Sequence, residues 1–308
     1  MKGRVALVTL FVVFVLIAGR ALLAQSAAAR IDGMVQDASG AVVAGARVTA
    51  TNQETREQRS NLTNDHGLYV LYPLSPGVYT MTAEIAGFRA ARVENLRLDV
   101  TDTLVRNFTL EVGSVQQDVT VSAEAVPLIN QTMSVESVVT RDQLEVLPLN
   151  GRDFSQLALL AAGAVDSNVQ SGKDAGPFAV NGNRSYSNEF LVDGVSNDNR
   201  FNANAAVPLS VDAIAQFKLI SGVAPAEYGQ AATTVTMVTR SGSNAFHGSL
   251  FEFYRGNTWL ARSPFDTGSA VQPYTRNQYG GTFGGPVLLP RFNGRNRTFF
   301  FLARIPKV

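Results

Sequence analysis

Two histidines, His66 and His247, are all the imidazole this 308-residue chain has, and it contains no cysteine. Thiol catalysis, disulfides and Cys-rich zinc sites are therefore excluded, and a catalytic triad or His-ligated metal has little to build from. His66 sits in the turn-like run Asn64-Asp-His-Gly67, where an exposed turn residue is a simpler account than a ligand. The run Gly280-Gly-Thr-Phe-Gly-Gly285 could suggest a phosphate loop, but it lacks the required Gly-Lys-Ser/Thr and lies in a strand context. Carboxylates do not cluster. No catalytic, cofactor-binding or metal-binding residue is expected, which leaves non-covalent recognition as the chemistry.

The elements that would position such recognition are short strands. Charged residues make up 17% of the chain, below the usual quarter, and Gly, Thr, Val, Asn and Ser are abundant. A formal net charge of +1 gives no basic field for nucleic acid. Lys2 and Arg4 precede an apolar run from Val5 to Ala18, followed by the small-residue zone Ala21-Leu-Leu-Ala24-Gln-Ser-Ala-Ala-Ala29. This is the pattern of a secretory signal peptide, with cleavage after Ala24 or Ala29, and the run is shorter than the ~20 residues a spanning helix needs. The chain is expected to be exported, with residues 1–29 as its address.

From Ile31, alternation of apolar and polar residues is broken by turn residues every 8–12 positions, as in a β-sandwich. In Ala46-Arg-Val-Thr-Ala-Thr51, for instance, Ala46, Val48 and Ala50 share one face. Gly33-x-Val35, Asp37-x-x-Gly40, Gly45-Ala46-x-Val48, Asp65-x-Gly67-x-Tyr69, Leu74-x-Pro76-Gly77-x-Tyr79 and Gly87-Phe88 resemble the carboxypeptidase regulatory-like domain, a transthyretin-like sandwich close to Cna-B modules. The resemblance implies a fold over residues 30–112 and no peptidase activity. No lysine occurs between Lys2 and Lys173, so the Lys–Asn crosslink of some Cna-B domains is not available within it.

After Gly113 the texture changes. Asp142-Gln-Leu-Glu-Val-Leu147 reads as helical, and Asp153 as the N-cap of a second helix from Phe154 to Ala162, stopped by Gly163. Phe190-Leu-Val192 reads as a strand with a hairpin turn at Asp193-Gly194. In Ile214-Ala-Gln-Phe-Lys-Leu-Ile220 the alternation sets Ile214, Gln216, Lys218 and Ile220 opposite Ala215, Phe217 and Leu219, and Thr233 to Thr239 alternates too. The ordered motifs Leu147-Pro-Leu-Asn150-Gly151-Arg152, Asn181-Gly-x-Arg184, Leu191-Val-Asp193-Gly194, Phe217-Lys-Leu, Ala226-Glu-Tyr228-Gly229 and Val238-Thr-Arg-Ser-Gly-Ser-Asn244 resemble the plug domain of TonB-dependent outer-membrane receptors, in its Oar-like variant. By the same resemblance, Asp118, Val119, Thr120, Val121 and Ser122 take the place of a TonB box, an extended segment that pairs with a periplasmic TonB-type energy transducer by strand addition. The same segment reads equally as the last strand of the sandwich or the first of the plug.

From Ala245 onward, aromatic-rich alternating segments (Phe246 to Tyr254, Asn277 to Pro286, Arg297 to Leu302) are similar to the first barrel strands of those receptors. Residues 245–308 are too few for a barrel of roughly 22 strands, so the sequence is expected to be the N-terminal part of a longer or interrupted product. The expected fold is thus mainly β: a transthyretin-like sandwich (30–112), a linker (113–122), a small α+β plug (123–244), and the first strands of an incomplete outer-membrane barrel. The expected function is that of a receptor portion that binds and gates without catalysis, with a cofactor neither needed nor implied. Its expected partners are the TonB-type transducer, an unidentified ligand and, if the barrel is completed, outer-membrane lipid; otherwise the protein would be periplasmic. The alternative is an exported binding protein using the carbohydrate-binding-like sandwich. No clustered Trp or Tyr platform supports sugar binding, since the single tryptophan, Trp259, lies outside the sandwich.

Overall fold

The computed structural model describes residues 28–113, 119–122, 134–147, 149, 152–167, 177–199, 201, 204–222, 231–256 and 275–304. Residues 1–27 of the expected leader and the Ala226–Gly229 motif lie outside these residues.

The first domain is a two-sheet sandwich. Its strands are β1 (Ala29–Asp37), β2 (Arg47–Asn52), β3 (Gln58–Leu62), β4 (Leu68–Leu74), β5 (Gly77–Glu84), β6 (Ala91–Leu98), β7 (Thr103–Val105) and β8 (Phe108–Leu110). β1 pairs antiparallel with β4 and parallel with β7 and β8. The second sheet runs β3-β2-β5-β6 and is extended by β9 (Val119–Ser122), parallel to β6. Inward positions alternate as the sequence indicated, so Val48, Ala50, Met81, Ala83, Val93 and Ile31 fill one apolar core. β3 is a strand the alternation does not reveal. All five of its residues are exposed, and it is held by its pairing with β2 and by the Asn61 amide donating to the Val70 carbonyl of β4 (2.9 Å).

Two close contacts fix the strand order of this domain. A Cβ on Gly33 would come within 1.8 Å of the Arg106 carbonyl, so only glycine lets β1 lie against the chain entering β8. The Tyr69 hydroxyl donates to that same carbonyl at 2.5 Å, and Tyr69 is itself buried. Burial raises the pKa of Tyr69 well above that of an ordinary phenol, and burial raises that of Tyr79 as well. Thr63 bridges the sheets by donating to the Val43 carbonyl (2.7 Å) while its oxygen accepts from Ala46 N–H (2.9 Å).

The plug region comprises β10 (Ser134–Val139), β11 (Ala164–Asp166), β12 (Phe178–Val180), β13 (Asn188–Val192), β14 (Val195–Ser196), β15 (Asp198–Asn199), β16 (Asn204–Ala205), β17 (Ile214–Gly222) and β18 (Thr233–Thr239). Its main sheet runs β10-β17-β18-β13-β14. One face packs Phe190, Phe217, Leu219, Val235 and Met237 onto Leu144, Phe154, Leu157 and Phe178. Phe154 and Phe178 meet the Phe190 ring edge-on, with centroids 5.9 and 6.0 Å apart.

The first helix covers Arg141–Val146 and is closed by a capping box between Thr140 and Gln143. The second differs from expectation: it is a single turn, Ser155–Ala158, rather than a helix to Ala162. Asp153 does accept a hydrogen bond from Ser155 N–H (2.9 Å), but its backbone is bridged to Ser210 and Phe154 is the residue at the cap. Past Gly163, which has φ +79°, the chain leaves at once to pair β11 with β12. Tertiary pairing at both ends leaves room for one turn only.

The last strands are β19 (His247–Gly256), β20 (Thr275–Pro286), β21 (Leu288–Leu289), β22 (Phe292–Asn293) and β23 (Phe299–Arg304). β19, β20 and β23 form an antiparallel meander, and β21 with β22 makes a small hairpin between the last two. The glycine-rich run that mimics a phosphate loop is the middle of β20, paired on both sides.

Candidate functional site: the plug and the surfaces that hold it

Arg152 is the centre of the site. Its backbone is left-handed (φ +52°), which turns the side chain inward, and the residue is buried. The guanidinium forks onto the Asp212 carboxylate, with Nε to Oδ2 at 3.2 Å and Nη2 on Oδ1. The same guanidinium lies 5.6 Å from the Phe251 ring centroid and 5.1 Å from that of Phe253, both on β19. One cation therefore binds the plug together and presses it on the first strand that follows. Asp212 was not evident from sequence. Its signal is Ser210, whose hydroxyl oxygen accepts from Asp212 N–H (3.3 Å) at the start of a 3-10 turn and whose backbone bridges to Asp153 next to Arg152.

Asp193 and Gly194 make the hairpin turn between β13 and β14, with φ of +50° and +81°. The Asp193 carboxylate reaches across to the end of β18 and accepts from Thr239 N–H (2.9 Å) and the Thr239 hydroxyl (2.7 Å). This fixes the point at which the chain leaves the plug. Beyond it, a Cβ on Gly242 would lie 2.4 Å from the Phe300 carbonyl and 2.7 Å from that of Gly285, so the exit packs tightly under β20 and β23. Asn244 and Asn296 then exchange amide hydrogen bonds at 2.8 Å.

Arg184 is not part of this cluster. It is exposed and lies against Tyr186, whose hydroxyl accepts from Nη1; that bond raises its pKa. Asn150, Gly151, Tyr228, Gly229 and Asp118 lie outside the described residues. Val119, Thr120, Val121 and Ser122 are β9, at the edge of the sandwich sheet. Asn197 is a further residue the motifs miss. It is buried and exchanges two 2.9 Å hydrogen bonds with Val207, which closes the loop carrying β15 and β16.

The outer face of the β19-β20-β23 meander is uncovered and mainly apolar, with Glu252, Asn277 and Arg304 as its polar positions. Leu250, Tyr254, Tyr279, Phe283 and Leu302 project from it, Leu250 with 92% of its surface exposed. Phe246 stacks on Phe283 with planes 3° apart. Inward positions such as Thr282 and Gly284 are buried. Among the described residues no three His, Asp or Glu side chains converge as a metal site, and no helix is long and apolar enough to cross a membrane, which does not bear on strands.

The three regions match three families in chain order. Residues 30–111 match the carboxypeptidase regulatory-like domain, 128–236 the TonB-dependent receptor plug domain, and 238–304 an outer membrane β-barrel domain. The chain therefore has the architecture of the N-terminal portion of a TonB-dependent outer-membrane receptor: sandwich, plug and first barrel strands. These are domains of an exported protein of the outer membrane. A curated relative, the TonB-dependent transporter Oar of Myxococcus xanthus, is 29% identical over 94% of this chain, which spans 28% of that transporter's length. Among solved structures, the alcaligin outer-membrane receptor FauA of Bordetella pertussis matches 58% of the chain and 27% of its own (16% identity, TM-score 0.41). The siderophore receptor PirA of Acinetobacter baumannii matches 50% and 22% (24% identity, TM-score 0.36).

Proposed function

We propose that this chain is the gating end of a TonB-dependent transporter, in which the plug closes a barrel until a periplasmic transducer displaces it and admits a bound ligand. The observation that carries this reading is the position of Arg152, buried against Asp212 within the plug while its cation faces Phe251 and Phe253 of the first barrel strand. A closure that must open needs contacts of this kind, strong but few. The work is binding and displacement, with no catalytic step. The uncovered, mainly apolar face of β19, β20 and β23 fits contact with outer-membrane lipid.

The proposed layout is a leader ending before residue 30, a sandwich over 30–112, a linker over 113–122, a plug over 123–244, and barrel strands from 245. Of the two cleavage points, Ala24 suits the fold better. Ala29 is already the first residue of β1, paired with Leu74 and fully buried.

The transducer's docking segment is Asp118 to Ser122. β9 has one edge on β6, and no strand pairs with its other edge among the described residues. Strand addition there would extend the sheet. The test is capture of the full chain by a TonB C-terminal domain, run beside thermal melts, for the parent and Val119→Pro. Proline removes one backbone donor. Lost capture with an unchanged melt supports docking. Retained capture with a lowered melt assigns the segment a purely structural role.

A further inference from the structure

The face of the plug sheet opposite its apolar core should be wet, because it carries Gln216 and Lys218 of β17. Both are instead buried, Lys218 with only 1% of its surface exposed. What covers them is the turn Asp99–Asp102 between β6 and β7 of the sandwich. Val100 N–H donates to Gln216 Oε1 (2.7 Å), and Gln216 Nε2 donates to Asp99 Oδ1 (2.6 Å). Lys218 Nζ donates to the Val100 carbonyl (3.1 Å) and to Asp102 Oδ1 (3.0 Å), and pairs with Glu136 Oε2 of β10 at 3.0 Å. Both backbone polar groups of Val100, itself fully buried, are thus satisfied by plug side chains.

The turn is held in an unfavourable shape for this purpose. Thr101, a β-branched residue, has φ +60°, a region such residues avoid. Val100 belongs to neither apolar cluster, and the turn itself is closed within the sandwich by Asp102 N–H donating to the Asp99 carbonyl (3.2 Å) and Asp99 N–H donating to Asp102 Oδ2 (3.1 Å). A second hold lies on the same side, where the Asn244 amide donates to the Glu54 and Thr55 carbonyls, each at 3.1 Å.

We propose that the Asp99–Asp102 turn is a docking key that seats the sandwich on plug strand β17 and, through Lys218, on β10, so that sandwich and plug form one rigid unit that moves only when this key is released. Lys218 joins three elements: the sandwich through Asp102, β10 through Glu136, and its own strand. A force that shifts β10 must therefore either carry the sandwich along or break this buried charge cluster. A lone buried lysine would be costly, so the pair resists partial opening and gives way all at once. The key stands whether or not β9 binds a transducer.

The absence of native cysteine makes the test clean. Spin labels at His66→Cys on the sandwich and Val195→Cys on the plug, both exposed, report the separation of the two domains in the full chain in detergent. The parent should give one narrow distance peak. Asp102→Asn and Lys218→Met should each widen it at least twofold while circular dichroism shows both domains folded. If Lys218→Met unfolds the plug, Asp102→Asn, on the sandwich surface, carries the test alone. A broad peak in the parent, or a narrow peak retained in folded Asp102→Asn, overturns the proposal.

Discussion

The sandwich and the plug solve the same packing problem with different resources. Every residue of the sandwich core, from Ala29 to Leu110, comes from the sandwich, and Phe88 and Ile85 close it from its own loops. The plug sheet has an apolar face of its own, but its opposite face buries Gln216, Lys218, Thr234 and Thr236. The hydroxyls of Thr234 and Thr236 have no hydrogen-bond partner among the described residues. A buried polar group without a hydrogen bond costs about 1–3 kcal/mol. The first domain is built to be stable alone. The second gives up stability on a face that a neighbour covers, which is where a part that must move can be loosened.

The largest expected effect breaks the sandwich without touching the plug. Gly33→Val would drive a side chain into the Arg106 carbonyl and should cost more than about 4 kcal/mol. Residues 30–112 made alone should then show no cooperative melt, where the parent segment melts in one transition. Survival of that transition would mean the β1–β8 contact is less tight than the geometry shows.

Asp212→Ala is the counterpart in the plug. It leaves the Arg152 guanidinium buried and unpaired, and should lower plug stability by about 3–5 kcal/mol. Urea unfolding of the full chain should show the plug transition shifted and the sandwich transition in place. A shift of both together would argue that the sandwich depends on the plug after all.

Alkaline titration sharpens the comparison further. Tyr69 and Tyr79 have folded pKa values raised by burial, so the stability they confer is present below the unfolded phenol value of about 10 and is lost as pH rises beyond it. The sandwich should therefore soften above about pH 10. Tyr69→Phe should cost about 1 kcal/mol at neutral pH and reduce the alkaline loss, read from melts at pH 7 and pH 11.

The smallest effect on stability belongs to the outer face of the barrel strands. Leu250→Ser removes an apolar group that water already reaches, and should change the thermal melt by less than about 0.5 kcal/mol. Its effect should appear instead as weaker recovery of the full chain with lipid vesicles. Equal recovery would mean this face does not meet lipid.

Local pattern was enough for most strands. Thr233–Thr239 and the Asp193-Gly194 turn follow directly from alternation and from turn chemistry. β3 escaped because an edge strand with five exposed residues has no apolar period to read. The helix after Asp153 was over-extended because propensity continues to Ala162, whereas pairing of β11 with β12 ends it earlier. The motif residue Arg152 was legible, but its partner Asp212 is 60 positions away, and no spacing rule connects them.

Sequence by itself determined the three regions, their order and the inward face of the sandwich strands that alternate, because periods of two and turn residues act over a few positions. It also placed Gln216 and Lys218 on the same face of β17. Only the tertiary structure decided that this face meets Asp99–Asp102 rather than water, a contact between residues more than a hundred positions apart. Charge and polarity on a strand say which side differs from the core. What covers that side depends on how two separately folded domains come together, and that is set by shape and by partners distant along the chain.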